Sequence, residues 1–134
     1  MDSSNNINRG KQDAQRSKKR ILIVEDEPLV SWSLTNVLND LGFQTTVVLS
    51  GGKAIEKIYS SQFDLVITDL KLPQINGFEV ASAVRTFAPQ TPIILISAVE
   101  DQICREFLVQ QGIDGFLEKP FNLREMTALI SKFT

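Results

Sequence analysis

The 134-residue chain contains no histidine and a single cysteine, Cys104. Without histidine it cannot form a His-based zinc site, a Ser-His-Asp triad or a Cys-His catalytic pair. One cysteine also excludes an internal disulfide bond. Any chemistry on this chain must therefore use carboxylates, lysines or hydroxyl groups.

Long apolar runs are also absent. The longest, residues 21–24 and 92–96, are far shorter than the roughly 18 to 20 apolar residues of a membrane-spanning helix. The N-terminus lacks the apolar segment of a secretory signal, so we expect a cytoplasmic protein. With 43% apolar and 22% charged residues, the composition is that of one ordinary soluble domain, and we expect no second folded domain.

Positive charge is concentrated at the N-terminus. Residues 1–20 hold six Lys and Arg residues against two Asp residues, whereas the remainder has an acidic excess. The first residues have almost no large apolar side chains, so burial cannot offset their chain entropy. We predict a disordered basic leader at 1–19, a solvated tail in preference to a nucleic-acid-binding arm, and one domain at 20–134.

From residue 20 onward, hydrophobic patterning alternates between two periods. Continuous β-branched runs such as 21–24 are typical of strands buried on both faces, and apolar residues at helical spacing follow them. Asn122 is the expected N-cap of the last helix, whose predicted buried stripe begins at Leu123. The predicted strands lie near 21–24, 43–49, 64–68, 93–96 and 113–117, and the predicted helices near 29–41, 52–59, 78–84, 100–111 and 123–133.

Strict alternation of strand and helix predicts an α/β fold with a parallel sheet covered by helices on both faces. For five strands the favoured order is the doubly wound 2-1-3-4-5, a flavodoxin-like three-layer sandwich with five helices. Ligands of such sheets bind beyond the carboxyl ends of the strands, at the switch point between the first and third strands.

Polar side chains follow the strands at that edge. Glu25 and Asp26 follow the first strand, Asp69 the third, Ser97 the fourth and Lys119 the fifth. Carboxylates this close repel one another unless a cation is present, and an all-oxygen ligand set favours Mg²⁺. Lys119 supplies a charge for a phosphoryl oxygen, and Ser97 supplies a hydroxyl. The set predicts magnesium-dependent phosphoryl transfer to an aspartate.

Residues 20–134 resemble the receiver domains of two-component response regulators, the CheY-like family. Each motif alone is weak, but their order at the strand ends is specific. The motifs are Glu25-Asp26, Asp69 followed by Pro73 and Gly77, Ser97, and Lys119-Pro120.

The resemblance implies that Asp69 is the phosphoacceptor, served by a phosphohistidine of a sensor histidine kinase or a histidine phosphotransfer protein. It implies that Asp26, Asp69 and the backbone carbonyl of Lys71 ligate Mg²⁺, the one cofactor, with Glu25 acting through water. Such a domain is a signalling receiver and not an enzyme, although it assists its own phosphorylation and dephosphorylation.

The resemblance also implies a switch. Lys119 pairs with the phosphoryl group, Ser97 swings toward it, and the aromatic ring of Phe116 turns inward. A cis peptide bond is implied before Pro120. The face of the fourth helix, fifth strand and fifth helix is the expected reporter, with homodimerisation there as a hypothesis and no direct contact with nucleic acid or membrane.

Each residue also has an ordinary structural interpretation. Taken alone, Asp69 would more often be a turn or cap residue, Ser97 could cap the next helix with Glu100, and Phe116 would more often belong to the core. The remaining rival function is a pseudo-receiver, an interaction module that keeps the fold but is not phosphorylated.

Two departures from the family pattern concern the rate of autodephosphorylation. Lys71 stands two residues after the acceptor, where relatives often have a neutral or amide residue, and Val99 stands two after Ser97. Both positions border the phosphoryl group in such domains. We expect an altered autodephosphorylation rate, without a predicted direction.

Trp32 is expected on the exposed face of the first helix. It lies nearly opposite the core stripe formed by Val30, Leu34 and Leu41. An exposed tryptophan there is a candidate docking anchor, against the alternative of a ring resting on its neighbours without a role.

Overall fold

The computed structural model describes residues 18–98, 101 and 103–134. Most of the predicted leader, together with Val99 and Glu100, lies outside these residues. The strands are β1 (Arg20–Val24), β2 (Gln44–Val48), β3 (Leu65–Asp69), β4 (Ile93–Ala98) and β5 (Gly115–Lys119). The helices are α1 (Pro28–Asp40), α2 (Gly51–Ser60), α3 (Gly77–Phe87), α4 (Arg105–Gln110) and α5 (Leu123–Ser131).

All five strands pair in parallel in the order β2-β1-β3-β4-β5, which confirms the predicted fold class and strand order. In the described part of the chain, no helix is long and apolar enough to cross a membrane.

The sheet is buried on both faces because alternate residues of each strand enter opposite clusters. Ile21 and Ile23 pack with side chains of α1 and α5. Leu22 and Val24 pack with side chains of α2, α3 and α4. The apolar strands β1, β3 and β4 therefore form a buried middle layer, and their buried polar residues, Thr68, Asp69 and Ser97, lie at the carboxyl ends of β3 and β4.

The fourth helix begins later than predicted. The expectation was a start near residue 100, whereas α4 begins at Arg105, with Cys104 in an extended conformation before it. The side chain of Asp101 accepts a hydrogen bond from the backbone of Ala98 at 3.1 Å, so Asp101 lies against the end of β4.

Two expected core positions are wrong. Leu41 is 53% exposed because it lies beyond the last residue of α1, and Leu123 is 54% exposed at the first residue of α5. The last helix also ends at Ser131, before the predicted end near 133, whereas the positions of Trp32 and Asn122 follow the expectation. Trp32 is 66% exposed, and Asn122 caps α5 by accepting a 2.8 Å hydrogen bond from the backbone of Glu125.

Gly77 lets α3 begin directly against the strand that carries Asp69. A Cβ atom at this position would collide with the carbonyl oxygen of Asp69 and lie 2.9 Å from the side chain of Leu95. The backbone N–H of Gly77 donates a 2.8 Å hydrogen bond to the carbonyl of Leu70. The glycine is therefore a packing requirement of the β3–α3 connection.

We expect Gly77→Ala to lower the free energy of unfolding by about 1–3 kcal/mol, because the added methyl group must displace the β3 main chain. Urea denaturation measures this loss. Gly52→Ala is the matched control, since a Cβ there meets no atom within 4 Å on the exposed start of α2. Equal stability of the two variants would contradict the packing role.

Candidate functional site

The candidate site forms where β1, β3 and β5 end. Val24 is in register with Thr68 on the neighbouring strand, so the next residues, Glu25 and Asp69, emerge side by side. Both are buried, Glu25 fully and Asp69 at 5% exposure. Parallel strands thus place two carboxylates at one edge, as the sequence predicts.

Lys119 joins these carboxylates from the end of β5. Its Nζ lies 3.0 Å from Glu25 Oε1, 3.0 Å from Asp69 Oδ2 and 3.3 Å from Glu27 Oε1. One ammonium therefore bridges three acids, two from the connection after β1 and one from the end of β3. The peptide bond between Lys119 and Pro120 is cis, as the resemblance implied.

Glu27 is the third acid of the cluster, and sequence reasoning did not select it. Carboxylate oxygens of Glu25, Glu27 and Asp69 all lie within 4.8 Å of one another, whereas Asp26 is exposed and outside this group. The backbone is extended at Glu27, and in an extended chain residues two apart lie on the same side, as Glu25 and Glu27 do. Period-two spacing was the signal that could have found Glu27. The magnesium-ligand role of Asp26 stays a prediction.

The pKa values of Glu25 and Lys119 are both shifted. Burial, followed by the hydrogen bond with Asp69 and the charge of that acid, raises the pKa of Glu25 to about 8, although Lys119 acts in the opposite direction. Burial alone would lower the pKa of Lys119, but hydrogen bonds to Asp69 and Glu25, and their charges, raise it above its usual value. Lys119 therefore remains an ammonium ion while it holds the acids together.

The donor chemistry of the cluster fits a hard divalent cation. Oε2 of Glu25 is buried without a hydrogen-bond partner among the described residues, which is costly for a carboxylate oxygen. All clustered donors are oxygen atoms, the ligands that Mg²⁺ prefers. A cation here would satisfy the orphaned oxygen and lessen the repulsion between the acids.

Ser97 lies one strand further along, on β4. Asp69 is in register with Ile96, so Ser97 follows directly beyond the acceptor strand, at 1% exposure. Its hydroxyl donates a 2.6 Å hydrogen bond to Asp101 Oδ2, and Lys71 Nζ lies 2.9 Å from Asp101 Oδ1. The hydrogen bonds from Lys71 and Ser97 lower the pKa of Asp101.

Asp101 was missed because a lone acid in a loop gives no signal in sequence. The resemblance had drawn attention to Lys71 and Ser97, but nothing in the residue pattern connects them. In the structure the Asp101 side chain lies between them, in contact with the Ser97 hydroxyl and the Lys71 ammonium. Phe116 is partly buried against the α2–α3–α4 side of the core, and its switch role stays a prediction.

An apolar cavity of about 680 Å³ adjoins Lys119. Its wall includes Leu29 of α1, which is 79% exposed, and Leu123 of α5. Phe121 completes the wall between them. The misassigned leucine of α5 therefore lines a surface beside the cluster and not the core.

The sequence model described as the response regulator receiver domain matches residues 21–131. The chain is 31% identical over 117 residues to the transcriptional regulatory protein CrdR of Helicobacter pylori, covering 87% of this chain and 55% of that protein. It is 34% identical over 113 residues to the DNA-binding response regulator MtrA of Mycolicibacterium smegmatis, covering 84% and 49%. The chain thus spans about half the length of the curated relatives it matches.

Solved structures agree. Response regulator TrrA from Thermotoga maritima, in complex with Mg(2+)-BeF, has a TM-score of 0.77 and 34% identity, over 87% of this chain and 99% of that chain. The receiver domain of a sensor histidine kinase from Pseudomonas aeruginosa, with magnesium coordinated in its active site cleft, has a TM-score of 0.78 and 28% identity, over 87% and 98%. With strand order, site and sequence in agreement, the chain belongs to the response regulator receiver domain family.

Proposed function

We propose that this domain accepts a phosphoryl group onto Asp69 from a phosphohistidine, in a Mg²⁺-dependent reaction, and signals through a conformational switch. One observation carries the proposal: a buried carboxylate at a parallel-strand end lies 3.0 Å from a lysine ammonium, beside two further acids. The magnesium and Mg(2+)-BeF bound by the two solved relatives support it.

In the proposed reaction an oxygen of Asp69 attacks phosphorus. The P–N bond to the donor imidazole breaks as the O–P bond forms, and the imidazole leaves with the bonding electron pair. Lys119 is already within hydrogen-bond distance of Asp69, so its charge is in place for the phosphoryl oxygens. Positioning and charge neutralisation supply most of the catalysis in such transfers.

Magnesium would be held by Asp69 and the acids beside it, and would supply charge neutralisation for the phosphoryl oxygens. The structure groups Asp69 with Glu25 and Glu27. The resemblance adds Asp26 and the backbone carbonyl of Lys71, with Glu25 acting through water.

The donor is proposed to be a histidine kinase or a histidine phosphotransfer protein. This sequence has no histidine, so the phosphohistidine must lie outside it. The cavity beside Lys119 gives such a donor an apolar surface next to the acceptor, with exposed Leu29 and Trp32 on the same helix.

Homodimerisation through α4, β5 and α5 stays a hypothesis, for which exposed Val109 on α4 is a candidate contact. The cytoplasmic location also stays a prediction.

A pseudo-receiver is the second candidate. The observation in its favour is that Lys119 already forms ion pairs with all three acids of the cluster. A domain held permanently in this state would keep the fold and bind partners without phosphorylation.

Incubation with acetyl phosphate and Mg²⁺ separates the two candidates. We expect the parent protein to gain the mass of one phosphoryl group and Asp69→Asn to gain none, because the amide is not a nucleophile. Intact-protein mass spectrometry measures the gain. Asp40→Asn, an exposed acid at the end of α1, should behave as the parent. No gain in the parent, or an equal gain in Asp69→Asn, would contradict the proposal.

Lys119→Met should uncouple metal binding from phosphorylation. We expect the variant to bind Mg²⁺ about tenfold more tightly, a difference of about 1.4 kcal/mol, because the ammonium no longer competes for the acids. Phosphorylation by acetyl phosphate should slow, because the phosphoryl oxygens lose a positive charge. Calorimetry and mass spectrometry measure the two effects.

The matched control for this variant is Lys53→Met, which removes an exposed lysine paired with Glu56 on α2. It should leave magnesium affinity and phosphorylation unchanged. Weaker magnesium binding in Lys119→Met than in this control would show that the lysine supports the cation site and does not compete with it.

Trp32→Ala tests the docking surface. Because the ring is 66% exposed, we expect little change in unfolding free energy or in phosphorylation by acetyl phosphate, but slower transfer from a phosphorylated histidine phosphotransfer protein. Tyr59→Ala on α2, an exposed aromatic away from the site, is the control. Equal transfer rates in both variants and the parent would remove Trp32 from the docking surface.

A further inference from the structure

We propose that Asp101 is a positioning residue for the switch: it holds the Ser97 hydroxyl away from Asp69 in the unphosphorylated protein, and Lys71 holds Asp101 in place. The inference rests on the proposed function only where it concerns the phosphoryl group. The hold on Ser97 itself exists without phosphorylation and can be tested without it.

One carboxylate oxygen of Asp101 accepts two hydrogen bonds. Its Oδ2 accepts hydrogen bonds from the Ser97 hydroxyl at 2.6 Å and from the Ala98 backbone at 3.1 Å. Its side chain is only 8% exposed, although it is an acid in a loop. Two donors on one oxygen fix the direction of the carboxylate, and Ser97 is fixed with it.

Lys71 forms an ion pair with Asp101. Its Nζ lies 2.9 Å from the other oxygen of Asp101, although Lys71 is 72% exposed and belongs to the connection after β3. The ion pair therefore joins the segment that follows the acceptor to the segment that follows Ser97. Removing Lys71 should loosen Asp101 without removing the acceptor of the Ser97 hydrogen bond.

Asp101 and a phosphoryl group on Asp69 would compete for the proton of the Ser97 hydroxyl. A serine hydroxyl has a single proton to donate. While that proton is given to Asp101, it cannot be given to a phosphoryl oxygen on Asp69. The acid and the phosphoryl group are thus alternative acceptors for the same hydroxyl, and the Ser97–Asp101 hydrogen bond opposes the switch.

The ordinary alternative is that Asp101 only stabilises the turn after β4 through Ala98. Under that alternative its removal would lower stability, and Ser97 would keep its rotamer. The two accounts therefore differ in the state of Ser97 and not in thermal stability.

The first experiment measures the Ser97 Hα–Hβ couplings by NMR in the metal-free protein. We expect one side-chain rotamer in the parent and rotamer averaging in Asp101→Ala. Glu106→Ala, which removes an exposed acid on α4, should match the parent. Identical couplings in Asp101→Ala and the parent would overturn the proposal, whatever the protein does with phosphate.

The second experiment measures the affinity for beryllofluoride, a phosphoryl mimic, in the presence of Mg²⁺. We expect Asp101→Ala to bind about tenfold more tightly than the parent, the equivalent of about 1.4 kcal/mol. Lys71→Met should shift the affinity in the same direction by a smaller factor.

Repeating the Asp101→Ala measurement in a Ser97→Ala protein separates the effect of the Ser97–Asp101 hydrogen bond from the effect of the lost charge. Removing an acid near an anion site strengthens anion binding by electrostatics alone. In the Ser97→Ala background there is no hydroxyl to release, so Asp101→Ala should give only the smaller gain that the lost charge produces, and the difference between the two gains measures the Ser97–Asp101 hydrogen bond. A gain of equal size in both backgrounds would overturn the proposal.

If Asp101→Ala does not fold, Asp101→Asn takes its place. The amide keeps an acceptor for Ser97 but loses the charge that Lys71 binds, so we expect a smaller gain in beryllofluoride affinity and partial averaging of the Ser97 rotamers. If the parent itself fails to bind beryllofluoride, the proposed function fails, and the couplings alone decide whether Asp101 holds Ser97.

Discussion

The pairing of the Lys119 ammonium with three carboxylates is the interaction on which the rest of the site depends. Glu25 and Asp69 emerge from adjacent strands at nearly zero exposure, and such acids cannot both be charged unless a cation lies between them. The lysine comes from β5, two strands away from β3, so it must reach past the end of β4. The edge of the sheet is a site because the sheet brings the ends of three strands, β1, β3 and β5, together.

The remainder of the structure keeps these strand ends in position. The central strands β1, β3 and β4 bury continuous apolar residues on both faces, and the buried polar residues Thr68, Asp69 and Ser97 lie at the carboxyl ends of β3 and β4. Gly77 then allows α3 to begin directly against β3, which fixes the main chain of the acceptor. Ordinary packing rules hold up to the last residue of each strand and give way there to crowded charges, the arrangement expected of a functional edge.

Hydrophobic periodicity and the order of the elements predicted the strands and the residues at their ends. The contacts of loop side chains could not be predicted in this way. Runs such as Ile21–Val24 defined the strands because burial on both faces leaves little freedom of interpretation. Strand ends then located Asp69 and Lys119. Asp101 could not be found in this way, because hydrophobic patterning reports burial and not the direction in which a loop acid turns. Leu123 was misassigned for a related reason: helical spacing cannot distinguish a core position from one beside a surface cavity.

Lys119 and Ser97 both have hydrogen-bond partners in this structure, and this sets the energetic condition for the proposed switch. Lys119 already has acid partners, and the Ser97 hydroxyl already has an acceptor in Asp101. Each contact that a phosphoryl group makes with these residues replaces an existing one, so only the difference between the two acceptors shifts the conformational equilibrium. A phosphoryl group that accepts more strongly than a carboxylate from both donors would move Lys119 and Ser97 together. Because these residues lie at the ends of β5 and β4, that exchange would couple Asp69 to the α4–β5–α5 face.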